Sequence, residues 1–298
     1  MRKLKVVISG GLGQIGSHVA EMMLERGDEV VVIDNEYSDA HDQFYWNESE
    51  KVSNYHYDIR DYENTRPLYD GVDYVFHIAA EARIQPAIKN PIEAVSINSV
   101  GTCTVLQCAR ESGVKRVMYS STSSGYGMNL YPNVETQPDD CLNPYSASKV
   151  AAEKFCKMYT DLYGLKTVVF RYFNVYGKGE EHKGNQASPI SKFTQQAKED
   201  RVIKVFEDSE YAFRDFVCVD DVVNVVLDNT SGSGIYDIGT GEPISFEVVA
   251  ELIAEKEGAE IETIPFPLHL KNKYQEYTCA DNSWYDYKYT SVKAYLQA

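Results

Sequence analysis

The 298 residues carry a formal net charge of −16, with a pI near 4.8 and 43% hydrophobic residues. That balance argues against a nucleic-acid-binding surface, and the length suits one large domain or two coupled ones. No run of about 18 apolar residues occurs, so no membrane span is expected.

The short apolar run after Met1-Arg2-Lys3 meets glycines at once, which reads as a first strand and not as a secretion signal. A cytoplasmic location is the default expectation. Cysteines and histidines are scattered, with no Cys-x-x-Cys pair and no zinc-ligand spacing, so reduced thiols and no metal are expected. With so acidic a chain, any anionic ligand must be held by local donors: helix N-termini and a few placed Arg or Lys.

Leu4 to Ser9 reads as a buried strand, followed by the loop Gly10-Gly11-Leu12-Gly13-Gln14-Ile15-Gly16 and a helix through about Arg26. A second apolar run, Val30 to Ile33, ends at Asp34. Strand, glycine loop, helix, strand and terminal acid make a βαβ unit with a dinucleotide fingerprint. Gly10 permits the turn, Gly13 lets backbone approach a pyrophosphate, and Gly16 lets helix pack close to strand. Gln14 and Ile15 open the helix whose N-terminus would take the pyrophosphate, and Asp34 would accept hydrogen bonds from the adenosine ribose. Asn35, Glu36 and Tyr37 follow, with no Arg or Lys to neutralise a 2′-phosphate, which favours NAD over NADP.

Asn54 to Tyr57 reads as a third strand, ending at Asp58 and Ile59 where an adenine ring could lie, and Asp61 to Leu68 as a helix. Tyr74 to Ile78 is a fourth strand, opening onto Ala79 and Ala80, small enough to let a cofactor pass close to backbone. Pro91 to about Ser112 is expected to form one long helix containing Asn98, a candidate cofactor contact, and Arg116 to Tyr119 a fifth strand. This alternation predicts an α/β fold, a doubly wound parallel sheet presenting ligands at the carboxyl ends of its strands. The fifth strand runs into the hydroxyl-rich stretch Ser120 to Gly127, where Thr122 can hydrogen-bond a substrate hydroxyl.

Asn143 and Pro144 suit the start of a helix that places Tyr145 and Lys149 four apart on one face. A tyrosine with a pKa of about 10 is a poor base at neutral pH, and a neighbouring cation favours its phenolate. Taken alone, Tyr-x-x-x-Lys is more often an ordinary amphipathic helix, and a Ser/Thr-rich stretch more often a turn.

Together and in order, Gly10 to Gly16, Asp34, Ser120 to Gly127, Tyr145-x-x-x-Lys149 and Arg171-Tyr172-Phe173-Asn174-Val175-Tyr176-Gly177 resemble the extended short-chain dehydrogenase/reductases. That family includes nucleotide-sugar epimerases and dehydratases. Counting back from Tyr126 puts Thr122 on the family's catalytic Ser/Thr, while Gln14 departs from the family's frequent Phe. The resemblance implies a Rossmann-like NAD-binding domain over 1–177, to which the 220–240 region can return. A mainly substrate-binding, mixed α/β domain would occupy 178–298. It implies catalysis by Thr122, Tyr145 and Lys149, with Tyr145, Lys149 and Tyr172 also at the cofactor. Asn174, Ser188, Arg214 and Tyr274 would contact a nucleotide-diphosphate sugar. Arg214 is the natural phosphate clamp, although alone it could as well pair with Asp215. The helices near Ile92–Arg110 and Tyr145–Tyr163 resemble those forming a homodimer contact.

Thr122 is followed by Ser123 and Ser124, without the carboxylate that dehydratases of the family carry, so epimerisation ranks above dehydration. Phe76 to Pro86 resembles UDP-hexose 4-epimerases. Glu181-His182-Lys183-Gly184, Ile264 to Pro267 and the following Leu270 to Asp281 resemble ADP-glycero-manno-heptose 6-epimerases, in which a lysine matching Lys183 is a second acid/base. The heptose type therefore leads and the UDP-hexose type follows. A dehydratase or a non-catalytic dinucleotide-binding scaffold is more remote.

Overall fold

The computed structural model describes residues 2–37, 51–267, 275 and 277–298. The chain divides into two compact units. The first comprises 1–125, 143–171 and 226–236, and the second 126–142, 172–225 and 237–298. The stretch 126–142 thus joins the second unit, although it precedes the helix of Tyr145.

The first unit is built on a seven-stranded sheet. In chain order come β1 (Lys5–Ser9), α1 (Gln14–Glu25), β2 (Glu29–Asp34) and β3 (Val52–His56), then α2 (Tyr62–Thr65), β4 (Tyr74–His77), α3 (Ile84–Lys89) and α4 (Pro91–Val95). A π-helical segment (Ser96–Gly101), α5 (Thr102–Glu111), β5 (Arg116–Thr122), α6 (Pro144–Tyr163) and β6 (Thr167–Tyr172) follow. The remaining elements are β7 (Asn174–Tyr176), α7 (Pro189–Glu199), β8 (Val202–Phe206), β9 (Phe213–Arg214), β10 (Phe216–Cys218), α8 (Val219–Asp228), β11 (Gly234–Ile238), β12 (Ile244–Ser245), α9 (Phe246–Glu257), β13 (Glu260–Ile264) and α10 (Val292–Gln297).

The sheet order is β11-β6-β5-β4-β1-β2-β3, parallel from β3 through β5. The strand order reverses between β1 and β4, the switch point at which open α/β sheets bind their ligands. Strands such as Val6-Val7-Ile8 are wholly buried, which is why they read as continuous apolar runs and not as alternation. One core, including Val31, Val75, Leu106, Val117, Tyr119, Cys156 and Val169, forms between sheet and helices. In the second unit, Tyr176, Ile203, Phe216, Val249, Ile253 and Leu296 form a separate core. There β8 and β13 pair in parallel.

Three elements differ from expectation. The helix expected over Pro91–Ser112 runs unbroken to Glu111 but widens into a π segment at Ser96–Gly101, where Gly101 lies so close to Ile59 that a Cβ would sit 2.6 Å from its side chain. A π turn adds one residue to the helical circuit and so re-aims side chains. The helix expected over Asp61–Leu68 stops after Thr65 and continues as a 3-10 turn at Arg66–Tyr69, where Pro67 has no N–H to donate. The fifth strand extends to Thr122, so the hydroxyl cluster begins as buried strand and not as a turn.

Candidate active site

Four pieces of the first unit converge at the carboxyl ends of its strands. The glycine loop comes first. Gly10 takes φ +75°, and a Cβ on it would meet the Ala79 nitrogen at 2.7 Å, so the loops after β1 and β4 touch backbone to backbone. Gly16 lies still closer, because its Cβ would fall 2.0 Å from the Gly10 carbonyl oxygen. The helix N-cap is Gly13, which has no side chain to cap the first turn, the end at which a helix receives an anion. Asp34 ends β2, accepting from the Leu12 amide at 3.1 Å and the Glu36 amide at 2.9 Å, which fixes its carboxylate beside the loop.

Further along the strand ends, Asp58 accepts from Asn35 at 3.1 Å and from Arg60, while the Arg60 guanidinium also reaches Ser96 and Glu93. Burial works against the Asp58 charge, but Arg60 and Asn35 hold the carboxyl below its usual range. Ile59 is buried beneath Gly101. Ala79 donates to the Ser9 carbonyl, folding the β4 loop onto β1.

The third piece is the tip of β5. The Thr122 hydroxyl accepts the Ser124 amide at 3.1 Å and hydrogen-bonds the Tyr145 phenol. Donating its own proton to the tyrosine oxygen, this hydroxyl can stabilise the phenolate.

The fourth piece is α6. Asn143 and Ser146 form a capping box and Gly164 closes the far end in a left-handed turn, features that set where the helix begins and stops. The Lys149 ammonium lies 4.4 Å above the Tyr119 ring. Burial raises the Tyr145 pKa, opposed by the Thr122 hydrogen bond, and burial lowers that of Lys149 to about 7 against the pull of Glu153. The shared dry environment thus moves the two pKa values apart and disfavours the charged form of each, so the phenolate depends on the Thr122 hydrogen bond and the ammonium on Glu153.

Asn98 sits in the π segment and joins these pieces. Its carbonyl accepts the Glu81 amide at 2.9 Å, and its amide donates to the Glu81 carbonyl at 3.0 Å and the Ser148 hydroxyl at 2.9 Å. His77 is buried with a pKa lowered to about 3 by desolvation, its two nitrogens facing Ser9 at 2.7 Å and Thr102 at 2.8 Å.

A family model described as "NAD dependent epimerase/dehydratase family" matches residues 6–239. The chain belongs to that family. It is 33% identical to an ADP-L-glycero-D-manno-heptose-6-epimerase of Alkalilimnicola ehrlichii, across 93% of this chain and 89% of that protein. A UDP-glucose 4-epimerase of Thermotoga maritima solved with UDP-glucose matches at TM-score 0.89 and 28% identity, covering 99% of this chain and 98% of that one. A UDP-glucose 4-epimerase of Thermus thermophilus solved with NAD matches at TM-score 0.80 and 28% identity, over 94% and 91%. The protein is an enzyme of this NAD-dependent epimerase family, and NAD is its cofactor. The residues present fit it: the glycine loop packs backbone to backbone on the small Ala79, α1 starts at a glycine N-cap, and Asp34 is held beside them.

Other sequence candidates lie in the second unit. Tyr172 is buried at the end of β6. Asn174 donates to the Asp215 carbonyl at 3.0 Å and to Thr278 at 3.1 Å. Ser188 caps α7 and donates to the buried Glu180 at 2.7 Å. Lys183 lies 3.9 Å from Glu180, and burial lowers its pKa with Glu180 opposing. Arg214 gives its hydrogen bonds to the carbonyls of Phe213 and Gln275, while the Asp215 carboxylate is taken up by Thr240, Gly241 and Ala280. Tyr274 lies outside the described residues.

Sequence reading missed Glu81, Ser121, Ser148 and Glu153. A further four-residue step from Lys149 along α6 would have found Glu153.

Proposed function

We propose that the protein is a nucleotide-diphosphate-sugar epimerase working by transient hydride transfer. The arrangement of Thr122, Tyr145 and Lys149 at the ends of β5 and α6 carries this reading. Tyr145 takes the proton of the reacting sugar hydroxyl as phenolate, Thr122 holds that oxygen and Lys149 supplies the neighbouring positive charge. When bound, NAD⁺ supplies the hydride acceptor and a further positive charge. Gly10, Gly13, Gln14, Ile15, Gly16, Asp34, Asn35, Asp58, Ile59, Ala79, Ala80, Asn98 and Tyr172 are proposed to hold it. After the sugar turns over, Tyr145 returns the proton and the cofactor ends as it began.

Among sugars the ADP-heptose 6-epimerase type leads. It is supported by the relative from Alkalilimnicola ehrlichii and by Lys183, whose depressed pKa suits a second acid/base. UDP-hexose 4-epimerisation is the second reading, supported by the full-length match to the Thermotoga maritima enzyme. Arg214, bonded to backbone carbonyls, is the proposed diphosphate clamp, with Asn174, Ser188 and Tyr274 as further substrate contacts. Incubation with ADP-, UDP- and GDP-sugars, followed by NMR, should show an epimer with no net NADH formed. A broad panel without epimer would refute the reading.

We also propose a homodimer. Ile92 and Leu162 are 82% and 67% exposed, and Val95, Val100, Met158 and Tyr163 add apolar surface on the same helices, α4, the π segment and α6. That much apolar side chain is the mark of an interface. Among the described residues no helix is long and apolar enough to cross a membrane.

A further inference from the structure

Tyr145, Lys149 and Glu153 follow one another at four-residue steps and so stand on one face of α6. Glu153 is buried, and its carboxylate is fully engaged. One oxygen accepts from the Ser121 hydroxyl at 2.5 Å and from Arg171 Nε at 2.9 Å, and the other from a terminal nitrogen of Arg171 at 2.6 Å. Arg171 is buried as deeply, in β6 among Val168, Val169 and Phe170. Apolar residues of similar volume commonly replace such a pair at no loss of stability. Its placement beside the reacting groups gives it another use.

We propose that Glu153, oriented by Arg171, is a positioning residue for the reaction, fixing Ser121 and hence its neighbour Thr122 against Tyr145, and holding Lys149 as the ammonium by its charge. The proposal rests on the roles given above to Thr122, Tyr145 and Lys149. It has two separable arms, one geometric through Ser121 and one electrostatic through Lys149.

The groups facing Lys149 are Glu153 and Cys156 from α6, the Tyr119 ring from β5 and His77 from β4, with Tyr145 one turn back on α6. His77 is neutral because its pKa is about 3. Burial pushes the Tyr119 and Cys156 pKa values far up, so both are neutral at ordinary pH. The Glu81 carboxylate, from the β4 loop, faces Tyr145 and opposes its ionisation. Within the set around Lys149, Glu153 is the carboxylate that favours the ammonium.

The test uses the NAD-loaded enzyme and whichever sugar nucleotide of the ADP-, UDP- and GDP-sugar panel it epimerises. Ser121→Ala should lower kcat about tenfold while KM and both limbs of the pH profile stay in place. Glu153→Gln should lower kcat and also move the alkaline limb, which reports loss of the lysine proton, to lower pH by at least half a unit. Glu153→Asp should keep the limb and lose kcat, because the shorter chain keeps the charge and not the reach. If Glu153→Gln does not fold, Glu153→Gln with Arg171→Gln is compared with Arg171→Gln alone, so that the Glu153 charge is what differs, and the same downward move is read between the two.

Wild-type kcat in Ser121→Ala overturns the geometric arm. An unmoved alkaline limb in the neutral variants overturns the electrostatic one, leaving Glu153 a structural residue. Tyr145→Phe, run alongside, separates this from failure of the underlying mechanism: if it too keeps full activity, the mechanism falls and not only the role of Glu153.

Discussion

Lys149 is held where its charge is costly, and that cost can be measured. Its pKa in the folded protein is about 7, against 10.5 for an exposed lysine. The native state therefore binds this proton less tightly than the unfolded chain does. The sign follows: the destabilisation is complete below about pH 7, and stability is gained as pH rises from there toward 10.5. The whole gap, 3.5 units, corresponds to roughly 5 kcal/mol. Between pH 6 and 8 the gain is about 1 kcal/mol, or about 2–3 °C in Tm for a chain of this size. Lys149→Met removes the titration while keeping the bulk. Melting curves of cofactor-free wild type and variant should show the variant more stable at pH 6 and its pH slope smaller by that amount, while epimerisation is lost. His77 also feels the Lys149 charge, but its pKa of about 3 lies well below this window, so the difference in slopes between pH 6 and 8 reports Lys149. Equal slopes, or a variant less stable at pH 6, would refute the claim that burial sets the state of this lysine.

Replacing Tyr145 by Phe should reduce turnover by about 10²-fold or more with NAD binding retained, measured by NMR product assay and cofactor fluorescence. Gly16→Ala should weaken NAD binding severely, because the added methyl must displace the Gly10 carbonyl 2.0 Å away; wild-type affinity in a fluorescence titration would contradict this. Lys183→Ala should abolish 6-epimerisation of an ADP-heptose if Lys183 is the second base, whereas 4-epimerisation of a UDP-hexose would survive it. Leu162→Glu, at an exposed position of α6, should turn a dimer into a monomer by light scattering while leaving the melting temperature of the monomer nearly unchanged.

The parts of the site visible in the sequence are those imposed by local chemistry. Gly10 and Gly16 announce themselves because a Cβ on either would fall 2.0–2.8 Å from neighbouring backbone. Asn143 and Pro144 mark a helix start by capping alone. Asp34 is recognisable because an acid ends an apolar run one βαβ unit after the glycines. Glu153 and Arg171 were harder, since their meaning depends on β6 being laid beside β5, a pairing between residues distant in sequence. The π segment was illegible for a related reason. Ser96 to Gly101 reads as ordinary helix by propensity, and the close approach of Gly101 to Ile59 is known only once the β3 end has been placed. The role of Arg214 could not be decided from Asp215 beside it, because Asp215 is claimed by Thr240, Gly241 and Ala280 from much later in the chain.

The π turn at Asn98 also explains how a site assembled from separate strand ends stays in register. Asn98 bonds the Glu81 backbone on both sides and reaches Ser148, whose hydroxyl donates to the Tyr145 carbonyl at 2.8 Å, while Ser99 donates to the Ser148 carbonyl at 3.0 Å. The loop that follows β4 and the first turn of α6 are thereby fixed to the same helical segment. Every polar atom of Asn98 is satisfied, and a buried network in that condition adds rigidity where a half-satisfied one would add cost. On the opposite side Glu153 and Ser121 fix the β5 tip to the same helix. Lys149 thus lies between two polar anchors on α6, which keep its ammonium over Tyr119, one turn from Tyr145, even though burial alone would drive the proton off. Rigid placement of an unfavourable charge is what makes that charge available to the phenol, since a lysine able to swing into solvent would regain its ordinary pKa and lose its influence on Tyr145.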